Sequence, residues 1–210
     1  ALAQDRSARV SGLKYAVSLR IPSARTEPVR GHLTATFTLS DASRPLLVDF
    51  NQPSDHLVSV TTRGKTRSLA VERGHIAIPA SQLIRGENVV GFDFTAGDEA
   101  LNRQEDFLYS LFVPARASLA LPCFDQPDLK ARWTLTLDLP REWVALSNGR
   151  ESGRVTTAGR ASVLFDETAP LPPYLFAFTA GSFTIETGAR GGRTFRVFHR
   201  ENDAAKVASN

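Results

Sequence analysis

Cys123, Asp125 and Asp128 are the residues whose types and spacing could do chemistry, within Leu121-Pro122-Cys123-Phe124-Asp125-Gln126-Pro127-Asp128-Leu129-Lys130-Ala131-Arg132. A thiolate at Cys123 would be a nucleophile, but Pro122 and Phe124 make its setting apolar, which favours a small buried hydrophobe over a reactive thiol. It is the only cysteine, so no intrachain disulfide and no thiolate metal site can form from this chain. Asp125 and Asp128 can each close a side-chain turn onto nearby backbone amides. Pro122 and Pro127, five positions apart, leave the chain between them few conformations. The histidines are His32, His56, His75 and His199, and none stands in a His-Glu-x-x-His setting, the spacing that puts two zinc ligands and a general base on one helix face. Isolated strand or surface histidines are their simpler reading.

Strands must position these groups. After the proline-bounded turn, Trp133, Leu135, Leu137 and Leu139 alternate with Thr134, Thr136 and Asp138, the period of a half-buried strand. Tyr15 to Ile21 and Leu33 to Leu39 alternate in the same way. Further strands are expected at Leu46 to Phe50, Leu57 to Val60, Leu69 to Val71, Ile76 to Ile78 and Val89 to Phe94. Beyond the turn they are expected at Val144 to Leu146, Val163 to Phe165, Tyr174 to Phe178, Phe183 to Ile185 and Phe195 to Phe198. Turns at Arg73-Gly74, Asn148-Gly149 and Arg190-Gly191-Gly192 separate them. No segment of helix length carries an apolar stripe. The pattern predicts an all-β fold, with a short helix capped by Asn202 beginning at Asp203 and cut off within the chain.

Length and composition bound the function. With 210 residues and 42% hydrophobic content the chain can bury a real core, read as one large domain. Formal net charge is +3, and the positive residues are almost all arginines scattered from Arg6 to Arg200. That scatter lacks the clustered patch a nucleic-acid partner needs. No stretch is long enough to span a membrane as a helix. The start, Ala1-Leu2-Ala3-Gln4, has the small-x-small form of a secretory cleavage site, which points to export to the periplasm or outside, with a cytoplasmic protein as the alternative.

The block from Pro114 to Asn148-Gly149 resembles the aminopeptidase N family of zinc metallopeptidases, the gluzincins, in its amino-terminal saddle-shaped β domain. The proline-cysteine-aromatic-aspartate segment, the strand after it, Trp143 and Ser147-Asn148-Gly149 carry the likeness. Tyr15 to Ile21, Leu33 to Leu39 and Leu46 to Phe50 resemble the domain's first strands. Pro173-Tyr174-Leu175-Phe176-Ala177-Phe178, with Gly181 and Phe183, resembles its closing segment. The resemblance implies a curved mixed sheet with a smaller sheet packed on it, over residues 13–200. It also implies a flexible lead-in at 1–12 and the opening of a catalytic domain at 201–210. It implies that zinc and the catalytic residues belong to that domain, so this chain alone would bind no metal and hydrolyse nothing. Its partners would be the catalytic domain of the same polypeptide and peptide substrates.

In that family the β domain lends the cleft a glutamine and, two positions on, an acidic residue or glutamine that hold the substrate's free amino terminus. Counting back from Pro122-Cys123 places those positions at Leu111 and Val113, whose hydrocarbon side chains cannot accept an ammonium's hydrogen bonds. Either the catalytic domain recognises the amine alone, or a nearby carboxylate, Glu105 or Asp106, substitutes. Solvated loop acids are the plain alternative for that pair. Two other readings stay open: a secreted β-sandwich binding module presenting Phe107, Tyr109 and Phe112, and a catalytically dead scaffold of the same family.

Overall fold

The computed structural model describes residues 2–201 together with Asp203, Lys206 and Val207. Its elements are a helix α1 (Leu2–Arg9) and sixteen strands: β1 (Val10–Arg20), β2 (Arg30–Leu39), β3 (Leu46–Asp49), β4 (Leu57–Thr62), β5 (Lys65–Arg67), β6 (Val71–Glu72), β7 (His75–Ile78), β8 (Gly86–Thr95), β9 (Phe107–Tyr109), β10 (Arg132–Pro140), β11 (Val144–Ser147), β12 (Glu151–Thr157), β13 (Arg160–Phe165), β14 (Phe178–Gly181), β15 (Thr184–Arg190) and β16 (Arg193–His199). Eight form one sheet in the order β12-β13-β10-β1-β2-β8-β4-β5. It is mixed because β1 and β10 run parallel, with Tyr15 beside Trp133, while the other pairs are antiparallel. Two three-stranded sheets, β11-β14-β9 and β3-β7-β6, and the β15-β16 hairpin complete the all-β fold.

Alternation decides the core. Tyr15, Val17 and Leu19 on β1, Leu33, Ala35 and Phe37 on β2, and Trp133, Leu135, Leu137 and Leu139 on β10 are buried on one face, with polar residues between them facing out. Aromatics fill the space beneath. Trp133 stacks on Phe176 with ring centroids 4.3 Å apart, and the Tyr15 ring lies 4.4 Å from Trp133, tilted by 38°.

The amino terminus departs from the expected flexible lead-in over 1–12: α1 packs on the body and β1 already begins at Val10. Its buried side chains are Arg6 and Arg9, so no apolar stripe announces the helix. Arg9 donates to the carbonyls of Asp41, Arg44 and Pro45, so charge-assisted hydrogen bonds hold what aliphatic packing usually holds. A bulge between Ser11 and Lys14 follows, where Gly12 takes a positive φ of 62°.

Three other expectations shift. Tyr174 to Phe178 is not one strand: Pro172-Pro173 start a 3-10 turn over Pro173–Leu175, and pairing begins only at Phe178. Leu69 lies outside any strand, between β5 and β6. β12 went unseen because Arg154 to Thr157 are all exposed, leaving this edge strand without apolar alternation. The Asn202 cap lies outside the described residues, while Lys206 and Val207 are helical and Val207 N–H donates to Asp203 O at 3.1 Å. Among the described residues no helix is long and apolar enough to cross a membrane.

Candidate functional site

Tyr109, Leu111 and Val113 form a stripe on the segment that leaves β9. Successive side chains there alternate, so Leu108 and Phe112 turn inward while Tyr109, Leu111 and Val113 are 43, 42 and 50% exposed. Phe112 anchors the segment, its ring 6.4 Å from Phe176 and 6.3 Å from Phe178. Leu111 N–H donates to Ala100 O at 2.8 Å, and the Val113-Pro114 bond is cis. The two positions predicted to face substrate therefore share one exposed, apolar side of a pinned segment. Of the aromatics a binding module would present, Phe112 is buried in the core.

The two carboxylates offered as substitutes differ. Both oxygens of Asp106 accept from Arg200 Nη2 at 2.8 Å, and that guanidinium lies 4.1 Å over the Phe107 ring. Asp106 is thus committed to holding the base of the β15-β16 hairpin. Glu105 is exposed and has no ion-pair partner among the described residues.

The proline-bounded segment is structural. Cys123 exchanges backbone hydrogen bonds with Asp49, adding a rung beside β3. Its thiol is fully buried, and burial, with the Asp125 and Asp49 carboxylates adding to it, pushes the thiol well above its ordinary pKa. Tyr15 hydroxyl receives the Phe124 N–H at 2.8 Å, and burial raises that phenol too. Asp125 accepts Ser118 N–H at 2.9 Å, the backbone tie expected of it, while burial raises its carboxyl pKa. Asp128 accepts from the Ser7 hydroxyl and from Gln126 Nε2, and these two hydrogen bonds, Ser7 first, hold its carboxyl below the usual range.

Sequence reasoning missed the node beneath this segment. Asp49 accepts from Arg6 Nη1 and Nη2 at 2.7 and 2.6 Å and from Asp125 N–H at 2.9 Å, and His75 Nδ1 lies 2.8 Å from it. A recess of about 440 Å³ opens there between α1 and the segment. Nothing in the spacing of Arg6, Asp49 and Gln126 signals their meeting, because the contacts span 43 and 120 positions.

The Ser147-Asn148-Gly149 turn also has a physical role. Asn148 donates to Leu175 O at 3.1 Å and accepts Ala177 N–H at 2.6 Å, while Ser147 Oγ donates to Ala177 O at 3.0 Å. A side chain at Gly149 would collide with the Asp166 carbonyl. The turn thereby fastens β11 to the segment that carries Phe176 and Phe178.

The residues present do not fit a zinc site. His32 pairs with Asp93 at 2.7 Å, His75 with Asp49, and His199 lies 3.6 Å from Glu186. Among the described residues no three His, Cys, Asp or Glu side chains converge on a point a metal could occupy.

Residues 88–175 match the Peptidase M1 N-terminal domain. Glutamyl aminopeptidase of Mus musculus is 31% identical over 101 residues, 46% of this chain and 11% of that protein. Probable M1 family aminopeptidase 1 of Encephalitozoon cuniculi (strain GB-M1) is 36% identical over 90 residues, 41% of this chain and 10% of that protein. The crystal structure of an M1 zinc metallopeptidase from Deinococcus radiodurans superposes with a TM-score of 0.71 at 17% identity, over 90% of this chain and 46% of that one. The chain spans about a tenth of the length of the curated relatives it matches and under half of the solved chain. Residues 88–175 are thus similar to the Peptidase M1 N-terminal domain, and over 90% of its length the chain shares the fold of that solved M1 zinc metallopeptidase.

Proposed function

We propose that this domain roofs the catalytic cleft of a zinc-dependent aminopeptidase and admits chain ends by steric exclusion, contributing no catalytic group of its own. The observation that carries this is the match of residues 88–175 to the M1 N-terminal domain, in which the exposed Tyr109, Leu111 and Val113 stripe sits just ahead of Pro122-Cys123. Zinc would be held by a catalytic domain of the same polypeptide, where it would supply an activated water for hydrolysis of the first peptide bond. This chain's own contribution is shape. Phe112, locked under the stripe, fixes the height of the roof, and Leu111 and Val113 present hydrocarbon where a polar pair is usual, which favours substrates with apolar first residues. Glu105 is the carboxylate left to meet the amine, because Asp106 is held by Arg200.

An aminoacyl-anilide assay tests the reading. Full-length protein should release the anilide in a chelator-sensitive way, and residues 1–210 alone should release none. Turnover by the fragment, or none by the zinc-loaded full-length protein, overturns it.

A further inference from the structure

On the outward face of the eight-stranded sheet, four side chains join in a hydrogen-bonded relay. The register sets both His32 on β2 and Ser59 on β4 opposite Asp93 on β8, on the side away from the buried Leu33, Phe92 and Val60. Ser59 Oγ donates to Asp93 Oδ2 at 2.7 Å, and Asp93 Oδ1 lies 2.7 Å from His32 Nδ1. His32 Nε2 in turn lies 3.2 Å from Thr34 Oγ1, two residues along β2. The bonds from Ser59 first and His32 second hold the Asp93 carboxyl below its usual range, so it stays ionised and can only accept. In the neutral imidazole the proton therefore sits on Nδ1, and the Thr34 hydroxyl donates to the lone pair of Nε2. A hydroxyl bonded to a base that a carboxylate orients is the arrangement that activates an oxygen nucleophile. Among the described residues no other histidine carries a side-chain hydroxyl on its ring.

The relay is also accessible. Gly91 stands opposite Thr34 and Thr61, and its missing side chain leaves the His32 ring over bare backbone, with Cε1 3.5 Å from where a Cβ would stand. A cavity of about 400 Å³ opens at that gap, with His32, Thr34, Thr61, Arg63 and Val89 in its lining. His32 and Asp93 are half exposed, so a small electrophile can reach them. We propose that Thr34 is an acylation site, taking the acyl group of a small ester or thioester whose leaving group is a weak base. The Thr34 oxygen bonds to the carbonyl carbon and its proton passes to His32 Nε2. The bond to the leaving group then breaks, and that group takes the proton back. The acyl group stays on Thr34, because its hydrolysis must expel an alkoxide, a far poorer leaving group. Thr34 also lies within the ladders to β1 and β8, which spend the neighbouring backbone donors an oxyanion would need. None of the residues assigned to the cleft takes part.

Full-length protein incubated with p-nitrophenyl acetate tests this, in a zinc chelator so that no metal-activated water competes. Tandem mass spectrometry should find Thr34 acetylated at least about tenfold faster than Thr36, two residues on along the same strand and on the same face. Thr34→Ser should keep the label and Thr34→Val should lose it. His32→Gln and Asp93→Asn should each bring Thr34 down towards the Thr36 rate, and the ratio of the two sites within one molecule reads the relay rather than the fold. Thr34 labelled no faster than Thr36 overturns the proposal. So does a ratio unchanged in His32→Gln, or an adduct that neutral hydroxylamine removes, the mark of acylation on His32 itself.

Discussion

Arg6 donates from both terminal nitrogens to the two carboxylate oxygens of Asp49, at 2.7 and 2.6 Å, with the side chains only 4 and 13% exposed. Removing one partner leaves the other charge buried and unpaired, which costs about 3–5 kcal/mol. Arg6→Ala should therefore lower the urea midpoint strongly and open α1 to proteolysis. Arg6→Lys should rescue little, since an ammonium cannot bridge both oxygens while also reaching Leu47 O as Arg6 Nε does. A midpoint unchanged in Arg6→Ala would show that the helix contributes nothing to stability.

Asp125 gives a pH dependence of definite sign. Its folded pKa is raised by burial above the unfolded value of about 3.9, so the stability linked to its proton is present below that value and lost as pH rises through the folded pKa. Asp49, close by, opposes its ionisation further. Asp125→Asn keeps an acceptor for Ser118 N–H and cannot ionise. The variant should be at least as stable as the parent at pH 7, with its advantage shrinking towards pH 4. Melting curves across that range check this, and a loss of more than about 1 kcal/mol at pH 7 would mean the carboxylate itself is needed.

Cys123 should be inert in the native state. Its thiol is fully buried and its pKa pushed up, so a maleimide can reach the thiolate only after local opening of the segment bridged to Asp49. Native protein should label at least about a hundredfold more slowly than protein in urea. Arg6→Ala, by loosening the same node, should speed native labelling.

The strands were legible wherever one face is buried and the other wet. Tyr15 to Ile21 and Trp133 to Leu139 could be read directly because period two is a local property, and the resemblance supplied the sheets. What stayed hidden depends on contacts distant in sequence or on side chains whose role inverts expectation. Helix α1 buries arginines, so a search for apolar stripes passes over it. β12 is an edge with nothing to bury along most of its length. Spacing from Pro122-Cys123 places Leu111 and Val113, but hydrophobic residues carry no local sign of being exposed rather than core. Asp106 and Glu105 are adjacent loop acids that the sequence does not distinguish, and the Arg200 pair that separates their roles spans 94 positions.

That difference between the acids makes the proposed amine recognition testable in the full-length protein. Leu111→Gln with Val113→Glu puts two acceptors on the exposed side of a segment already pinned by Phe112 and Ala100 O. A hydrogen bond to a charged group contributes about 1.5–3 kcal/mol, so KM for an aminoacyl-anilide should fall roughly tenfold or more, with little change in kcat. The gain should be larger for alanyl than for leucyl substrates, because the apolar stripe that favours a bulky first residue is lost at the same time. Glu105→Gln in the otherwise unaltered full-length protein should raise KM, whereas Asp106→Asn should act on the hairpin base and leave KM alone. Unchanged kinetics in the double variant would sink the assignment of Leu111 and Val113 to the cleft. An Asp106→Asn effect on KM equal to that of Glu105→Gln would show that the Arg200 pair opens to let both acids reach substrate.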